Sequence, residues 1–252
     1  MSALKRFFVD SIGDTATLSG EEFEHAKNVL RLGVGDEVIL LDNSGKEYTA
    51  VIAVVEKRAM TLNVIGENVG DKEAKERVAL LFGYLKNADK NEFIVQKAVE
   101  LGVAEIIAFS SEFSSAYMNE NKLERLNKVA KEATKQCMRS IAPCVRYTKT
   151  LKEALESVSE YQNKLFACEF ALESQANLSV LNGSTAIVVG SEGGFSREEE
   201  ALTNEKGFSS VTLGKRILRA ETAAVALTSV VMFSLGELGE IPAEKQKFGG
   251  QV

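Results

Sequence analysis

The sequence predicts an α/β protein in which a small N-terminal β-barrel precedes a parallel sheet covered by helices. Short β-branched runs separated by turn residues occupy the first 70 residues, a pattern typical of a small barrel. After residue 77, strands alternate with helices, which indicates a parallel sheet with helices on both faces. We therefore predict two domains, residues 1–70 and 71–252, joined through the polar, turn-rich segment 66–77.

The first domain contains a short helical segment followed by three strand-like runs. The helical segment is GEEFEHAKNVLR, and the runs are EVILL, EYTAVIAVV and MTLNVIG, with the turn residues DNSGK and EKRA between them. His25, the only histidine of the chain, lies in the helical segment. No serine motif is near enough in sequence to pair with it, so we interpret His25 as a half-exposed helix residue and not as a catalytic base.

In the second domain, strands and helices alternate to the end of the chain. The predicted strands are VALLFGYL, AEIIAFS, KLFACEFA, TAIVVG and SSVTLG. The helices are NEFIVQKAVELG, a long helix over residues 122–138, SREEEALTNEKG and the apolar RAETAAVALTSVVMFSLGEL. Gly102 has the position of a glycine that ends a helix, and Ser196 and Glu199 have the spacing of a capping box.

Composition restricts the classes of function. The net charge is −6, so any contact with nucleic acid must come from a local basic patch. No apolar run approaches the ~20 residues of a membrane helix, and no signal peptide is evident, which predicts a cytoplasmic protein. Cys137, Cys144 and Cys168 form no CxxC pair, so we expect neither a disulfide framework nor a metal site.

Glycine-bearing loops follow two of the late strands. The stretch VVGSEGGFS runs from a strand into Gly190 to Gly194, and Gly214 follows the strand SSVTLG. The spacing matches neither the phosphate-binding loop nor the dinucleotide fingerprint. A tight turn would explain one such loop. Two loops at equivalent strand ends predict a pocket, because ligands bind beyond the carboxyl ends of strands and glycine allows close backbone approach.

Six basic residues fall on one side of the long predicted helix. They are spaced 3, 3, 3, 4 and 4 residues apart, and they are Lys122, Arg125, Lys128, Lys131, Lys135 and Arg139. A solvated face is the usual explanation of a charge run, but such faces commonly mix signs. A stripe of one sign on an acidic protein favours contact with RNA phosphates.

The stretches VVGSEGGFSREE and LGKRILRAETAAV together resemble the SPOUT-class RNA methyltransferases, specifically the bacterial ribosomal RNA small subunit methyltransferase E family. The likeness continues along the chain in KRFFV, HAKNVLRLGVGDEVILLDNSGKEY, KNADKNEFIVQKAVELGV and EATKQCMRSIAPCV. The family usually has Gly-Pro-Glu-Gly-Gly, whereas this chain has Ser191 at the proline. Serine costs more entropy to order, so we expect a slightly looser loop.

The resemblance implies a trefoil-knotted methyltransferase domain after a PUA-like RNA-binding barrel. It implies methylation of uridine N3 in 16S ribosomal RNA, with S-adenosylmethionine as cofactor and with the RNA taken as substrate in the assembled small subunit. The implied cofactor residues are Glu169, Gly190, Glu192, Gly193, Gly194, Leu213, Gly214, Ile217, Leu218 and Arg219. In the barrel, Arg6 and Arg31 match basic positions of the family. Each arginine has two alternative roles, a contact with an RNA phosphate or an ion pair with a surface carboxylate.

Arg219 is the expected catalytic residue, because a cation near the base carbonyls would stabilise the charge that develops when N3 loses its proton. Glu192 or Glu221 could act as the base only if burial raised its pKa. Residues 224–238 are apolar on nearly all sides, which predicts a homodimer through this helix, as the resemblance also implies. The alternatives are a knotted methyltransferase acting on a ribose 2′-OH or on tRNA, and a non-catalytic RNA-binding assembly factor.

Overall fold

The computed structural model describes residues 4–114, 116–168, 176, 178 and 181–239. The chain forms two compact units, and the first combines Met1–Glu73 with Ala130–Ala142. The second combines Ala74–Val129 with Pro143–Val252. The division into residues 1–70 and 71–252 stays a prediction, and sequence patterns did not indicate that residues 130–142 group with the first unit.

The first unit is built on a five-stranded sheet in the order β1-β3-β4-β5-β2. Its strands are β1 (Lys5–Phe8), β2 (Thr15–Ser19), β3 (Glu37–Leu41), β4 (Lys46–Val55) and β5 (Ala59–Val69). β1 pairs with β3 in parallel, and the other pairs are antiparallel. Helix α1 (Gly20–Glu24) continues into a π-helical turn, His25–Val29. Phe7, Phe23 and Met60 lie in the core of this unit, and the ring of half-buried His25 lies edge-on to Phe7.

The second unit contains a six-stranded sheet in the order β11-β9-β10-β6-β7-β8, and every pair is parallel. Its strands are β6 (Val78–Gly83), β7 (Glu105–Phe109), β8 (Val145–Thr148), β9 (Asn163–Ala167), β10 (Thr185–Val189) and β11 (Ser209–Val211). The predicted parallel sheet is thus confirmed. Every residue of β6 and β10 is buried, as expected for central strands covered on both faces.

Five helices connect or flank these strands: α2 (Ala88–Glu100), α3 (Glu120–Gln136), α4 (Leu151–Glu156), α5 (Arg197–Glu205) and α6 (Ala220–Ser234). Gly102 has a φ of 92° directly after α2, and Ser196 and Glu199 form the predicted capping box of α5. Among the helices of the described residues, none has the length and apolarity needed to cross a membrane.

The sheet order brings the two glycine loops to one edge. β9 lies between β10 and β11, and all three strands run in the same direction. Their carboxyl ends therefore meet at one edge of the sheet, where the loop after β10 and the loop between β11 and α6 begin. This is the edge at which open α/β sheets bind ligands.

Candidate functional site

A cavity of about 360 Å³ opens at this edge, within the second unit. The end of β9, the loop after β10 and the loop between β11 and α6 form its wall. It falls in the range of ~300–1,000 Å³ that is usual for small-molecule sites. Eight of the predicted cofactor residues line the cavity: Gly190, Glu192, Gly194, Leu213, Gly214, Ile217, Leu218 and Arg219.

The loop after β10 closes as a tight turn. The N–H of Gly194 donates to the carbonyl of Ser191 over 3.0 Å, and Gly194 has a φ of 70°, which disfavours residues with a side chain. A Cβ on Gly190 would lie 3.0 Å from the carbonyl carbon of Gly194, so the two arms of the loop touch through bare backbone. Gly190 and Gly194 are therefore needed for the turn itself.

Ser191 is buried and fixes this loop to the loop that follows β7, which lies two strands away from β10 in the sheet. Its Oγ accepts a hydrogen bond from the hydroxyl of Ser111, over 2.8 Å, in the loop after β7. A Cβ on Gly83, at the end of β6, would lie 2.5 Å from the backbone nitrogen of Ser191. The expectation of a looser loop at Ser191 took no account of this anchor, which sequence alone does not reveal.

The loop between β11 and α6 forms the opposite wall. Gly214 has a φ of 97°, and nothing lies within 4 Å of the position where its Cβ would be. Ile217 is 82% exposed, and Leu218 is half-buried. Arg219 is exposed and immediately precedes α6. This loop thus combines apolar side chains and glycine backbone with the basic side chains of Lys215, Arg216 and Arg219.

Glu221 lies in the first turn of α6 and lines the same cavity. Its Oε1 lies 3.0 Å from Nζ of Lys90, while its Oε2 is buried and has no hydrogen-bond partner among the described residues. Burial raises the pKa of Glu221, but its own backbone N–H, Lys90 and Arg219 outweigh burial and lower the pKa overall. Glu221 therefore does not meet the condition set for a general base, a carboxyl with a raised pKa.

Two of the predicted cofactor residues are not placed in the cavity wall. Gly193 does not line it, and a Cβ there would lie 2.6 Å from Cβ of Phe113. The absence of a side chain at Gly193 thus makes room for Phe113. Glu169 lies outside the described residues.

The structure corrects the expectation of one exposed basic stripe. Lys122, Lys128 and Lys131 are exposed on α3, and Arg125 is exposed while its guanidinium binds both carboxylate oxygens of Glu92. Nζ of Lys122 also donates to the carbonyl oxygen of Tyr117 over 2.7 Å. These four cations are accessible to a polyanion.

The last two members of the stripe are buried within the first unit. The side chain of Lys135 is 8% exposed and pairs with Glu22 and Glu132. Arg139 lies beyond the end of α3, its side chain is 4% exposed, and its guanidinium binds Glu73. A cation that is buried against a carboxylate cannot reach a phosphate, so we remove both residues from the predicted RNA surface.

The two arginines predicted in the barrel differ in their surroundings. The side chain of Arg6 is 10% exposed and binds Glu47 through two hydrogen bonds, which favours the ion-pair alternative. Arg31 is exposed, with a φ of 58°, two residues after the end of the π-helical turn. Of the two, Arg31 is the one accessible to RNA.

Sequence reasoning missed Lys90 and Ser111. Lys90 follows β6, and Ser111 follows β7, so both lie beyond the carboxyl ends of strands in the same parallel sheet. The strand-end rule that located the glycine loops indicates these positions too, but Lys90 lies in the first turn of α2, and the segment around Ser111 has no glycine to draw attention to it.

Comparison with known proteins gives consistent matches along the chain. A family model described as an RNA methyltransferase domain matches residues 72–232, and one described as an RNA methyltransferase PUA domain matches residues 18–65. Ribosomal RNA small subunit methyltransferase E of Bacillus subtilis (strain 168) is 30% identical over 250 residues, which span 91% of this chain and 96% of that protein. Its namesake in Mesomycoplasma hyopneumoniae (strain 232) is 36% identical over 167 residues, 65% of this chain and 73% of that protein.

The fold is similar to that of a solved relative as well. The crystal structure of a ribosomal RNA small subunit methyltransferase E from Neisseria gonorrhoeae bound to S-adenosylmethionine superposes with a TM-score of 0.82 at 29% identity. The superposition covers 92% of this chain and 98% of that one. The similarity therefore includes both units of the chain and is not confined to a single motif.

Proposed function

This chain belongs to the ribosomal RNA small subunit methyltransferase E family, and on that premise we propose that it methylates N3 of a uridine in 16S ribosomal RNA with S-adenosylmethionine. The observation that carries the proposal is the cavity in which two glycine loops face each other beside Arg219. Its position at the carboxyl ends of β9, β10 and β11 is that of a ligand site.

The residues present fit S-adenosylmethionine. Gly214 leaves open space where a side chain would stand, and Leu213 and Leu218 supply apolar surface for an adenine ring. The unpartnered Oε2 of Glu221 is an acceptor suited to a hydroxyl or an ammonium group of the cofactor. Because Glu221 is ionised at neutral pH, it also balances the positive charge of the sulfonium.

S-adenosylmethionine supplies an electrophilic methyl group carried by a sulfonium. The work of this chain is to orient the cofactor and the base and to exclude water. The turn from Ser191 to Gly194 would hold one side of the cofactor, and the loop through Gly214 would hold the other. Arg219, which is exposed and lines the cavity, would stabilise the negative charge left on the base when N3 loses its proton.

The pKa of Glu221 makes it a poor acceptor for that proton, since a carboxylate whose pKa lies below its ordinary value is a weak base. We propose that electrostatic stabilisation by Arg219 dominates and that the proton leaves to solvent or to an RNA group. Glu192 is exposed, and its Oε1 accepts from the backbone N–H of Lys86, so its role is to hold the loop.

RNA binding is assigned to the exposed part of the basic face, Lys122, Arg125, Lys128 and Lys131, together with Arg31 of the PUA domain. We further propose the trefoil knot of the family around the cofactor loops, a homodimer, and action in the cytoplasm on the small subunit. The family membership supports each of these proposals, and the exposed apolar side chains of α6 also support the homodimer.

The test is methyl transfer to small subunits from a strain that lacks the gene, followed by mass spectrometry of the RNA nucleosides. We expect 3-methyluridine and a loss of about 100-fold in kcat for Arg219→Ala. Arg197→Ala, which removes an exposed arginine from the start of α5, is the matched control and should retain activity. A ribose-methylated product would contradict the N3 assignment, and no heat of binding with S-adenosylmethionine would favour the assembly-factor alternative.

A further inference from the structure

An exposed aromatic ring stands beside the cofactor loop, and the mechanism above does not use it. Phe113 is 50% exposed, although an isolated phenylalanine is usually buried. A Cβ on Gly193 would lie 2.6 Å from Cβ and 3.2 Å from Cγ of Phe113, so the side chain packs directly on the backbone of the loop. Glu192 and Gly194, on either side of Gly193, line the cavity. The ring therefore stands at the rim of the site.

The segment that carries Phe113 is fixed on both sides. Before it, the hydroxyl of Ser111 donates to Ser191, and the backbone N–H of Glu112 donates to Oε1 of buried Glu199 over 2.9 Å. After it, the N–H of Ser114 donates back to the carbonyl of Ser111 over 3.0 Å. The ring is thus held in place at the rim, which lowers the entropy that a ligand would lose on binding to it.

The chemistry around Phe113 suits a nucleotide. Tyr117, four positions further along the sequence, is 81% exposed, and its carbonyl oxygen accepts from the ammonium of Lys122. Exposed aromatic rings combined with cations are the usual means of holding single-stranded nucleic acid, because every base has a face that can stack. Glu112 is exposed next to Phe113, so its carboxylate would repel a phosphate placed on that side.

We propose that Phe113 is a stacking platform for a base of the RNA substrate at the mouth of the cofactor cavity. This inference rests on the proposed function, since it assigns a position to the RNA that the enzyme methylates. It explains why Gly193 is a glycine although it does not line the cavity: any side chain there would displace the ring. The hydrogen bond between Ser111 and Ser191 then connects the segment that carries Phe113 to the cofactor loop.

The kinetic test compares Phe113→Ala with Phe93→Ala, which removes an exposed phenylalanine from α2. We expect Phe113→Ala to raise KM for small subunits about tenfold, the effect of losing one stacked base, and to leave the Kd for S-adenosylmethionine within twofold. Phe113→Tyr should restore KM. An unchanged KM in Phe113→Ala would overturn the proposal. A weaker dimer in Phe113→Ala would also overturn it, since the ring would then serve a second copy of the chain.

A direct readout is available because the chain contains no tryptophan. In Phe113→Trp, the single indole should be quenched by a single-stranded oligouridylate, and S-adenosylmethionine alone should leave its emission unchanged. Phe93→Trp is the matched reporter and should not respond to the oligouridylate. Absence of quenching in Phe113→Trp would contradict the platform. This signal does not depend on methyl transfer, so failure of the proposed function and failure of the platform are distinguishable.

Discussion

The hydroxyl of Ser111 donates to Oγ of Ser191 over 2.8 Å, and both side chains are buried. This contact joins the loop after β7 to the cofactor loop after β10, two strands that are not neighbours in the sheet because β6 lies between them. Ser191 stands where the resembling family has proline. A proline restricts its own φ, whereas Ser191 is held by a hydrogen bond to a second loop.

Removing the hydroxyl of Ser191 should loosen the cofactor loop. We expect Ser191→Ala to lower the free energy of unfolding by about 1 kcal/mol and to weaken S-adenosylmethionine binding several-fold, because the hydrogen bond from Ser111 to the cofactor loop is lost. Calorimetry gives both values. Ser157→Ala, which removes a serine hydroxyl that donates to Ala154 far from the cavity, should cost similar stability without changing the affinity.

A side chain at Gly194 should abolish cofactor binding. Valine is strained at a φ of 70°, and the turn between Ser191 and Gly194 would have to open. Gly207→Val imposes the same strain at a φ of 81°, in open space at the end of α5. We expect both variants to lose about 1–3 kcal/mol of stability and only Gly194→Val to lose binding. Equal affinities in the two variants would remove Gly194 from the cofactor site.

The strands and the loop chemistry were accessible from sequence because both depend on local pattern. β3, β10 and the capping box of α5 occur where periodicity and turn residues indicate them. β1, β2, β8 and α4 were not predicted. Length alone does not explain this, because β3 and β10 have five residues each and β11 has three. The Ser111–Ser191 contact joins residues 80 positions apart, and no local pattern encodes such a pairing.

Charge reversal on the exposed basic face should weaken RNA binding. We expect Lys128→Glu with Lys131→Glu to lower affinity at low salt and to flatten the slope of log K against log salt, because fewer counterions are released. Filter binding across a salt series measures this, and the Kd for S-adenosylmethionine should not change. Lys57→Glu, at an exposed position of the first unit, is the control. If the double variant binds RNA with unchanged affinity at every salt concentration, the basic face is only a solvated surface and does not bind RNA.

Arg139 should matter for stability and not for RNA. Its guanidinium binds Oε2 of Glu73, while Oε1 accepts from the backbone N–H groups of Ser140 and Ile141. Arg139→Ala leaves that carboxylate without its cation, and we expect a loss of about 3 kcal/mol measured by urea unfolding. The salt slope of RNA binding should stay that of the unmodified chain. A reduced salt dependence of RNA binding in Arg139→Ala would show that Arg139 contacts RNA.

The stripe shows where helical periodicity stops being informative. Spacing placed six cations on one side of a helix, but it could not show that Glu22, Glu73 and Glu92, all distant in sequence, would meet three of them. Nor could it show that the helix ends at Gln136, so that Arg139 leaves the helical face. Which charges remain exposed is decided by tertiary packing, and tertiary packing is absent from a local pattern.

The dimer prediction concerns the outer face of α6. Leu227, Val231 and Met232 are buried within the chain, whereas Val230 is 38% exposed and Phe233 is 67% exposed. The exposed apolar face of α6 would be buried if it packed against another protein surface. In a two-fold symmetric dimer, the same face of α6 from a second copy of the chain provides that surface.

We expect the chain to sediment at twice 27.4 kDa at micromolar concentration, and we expect Val230→Glu with Phe233→Glu to reduce the sedimenting mass to 27.4 kDa. Val69→Glu, at an 80% exposed position of β5, should leave the dimer intact. If the unmodified chain sediments as a single species near 27.4 kDa, the dimer is excluded, and with it any active site completed by a second subunit.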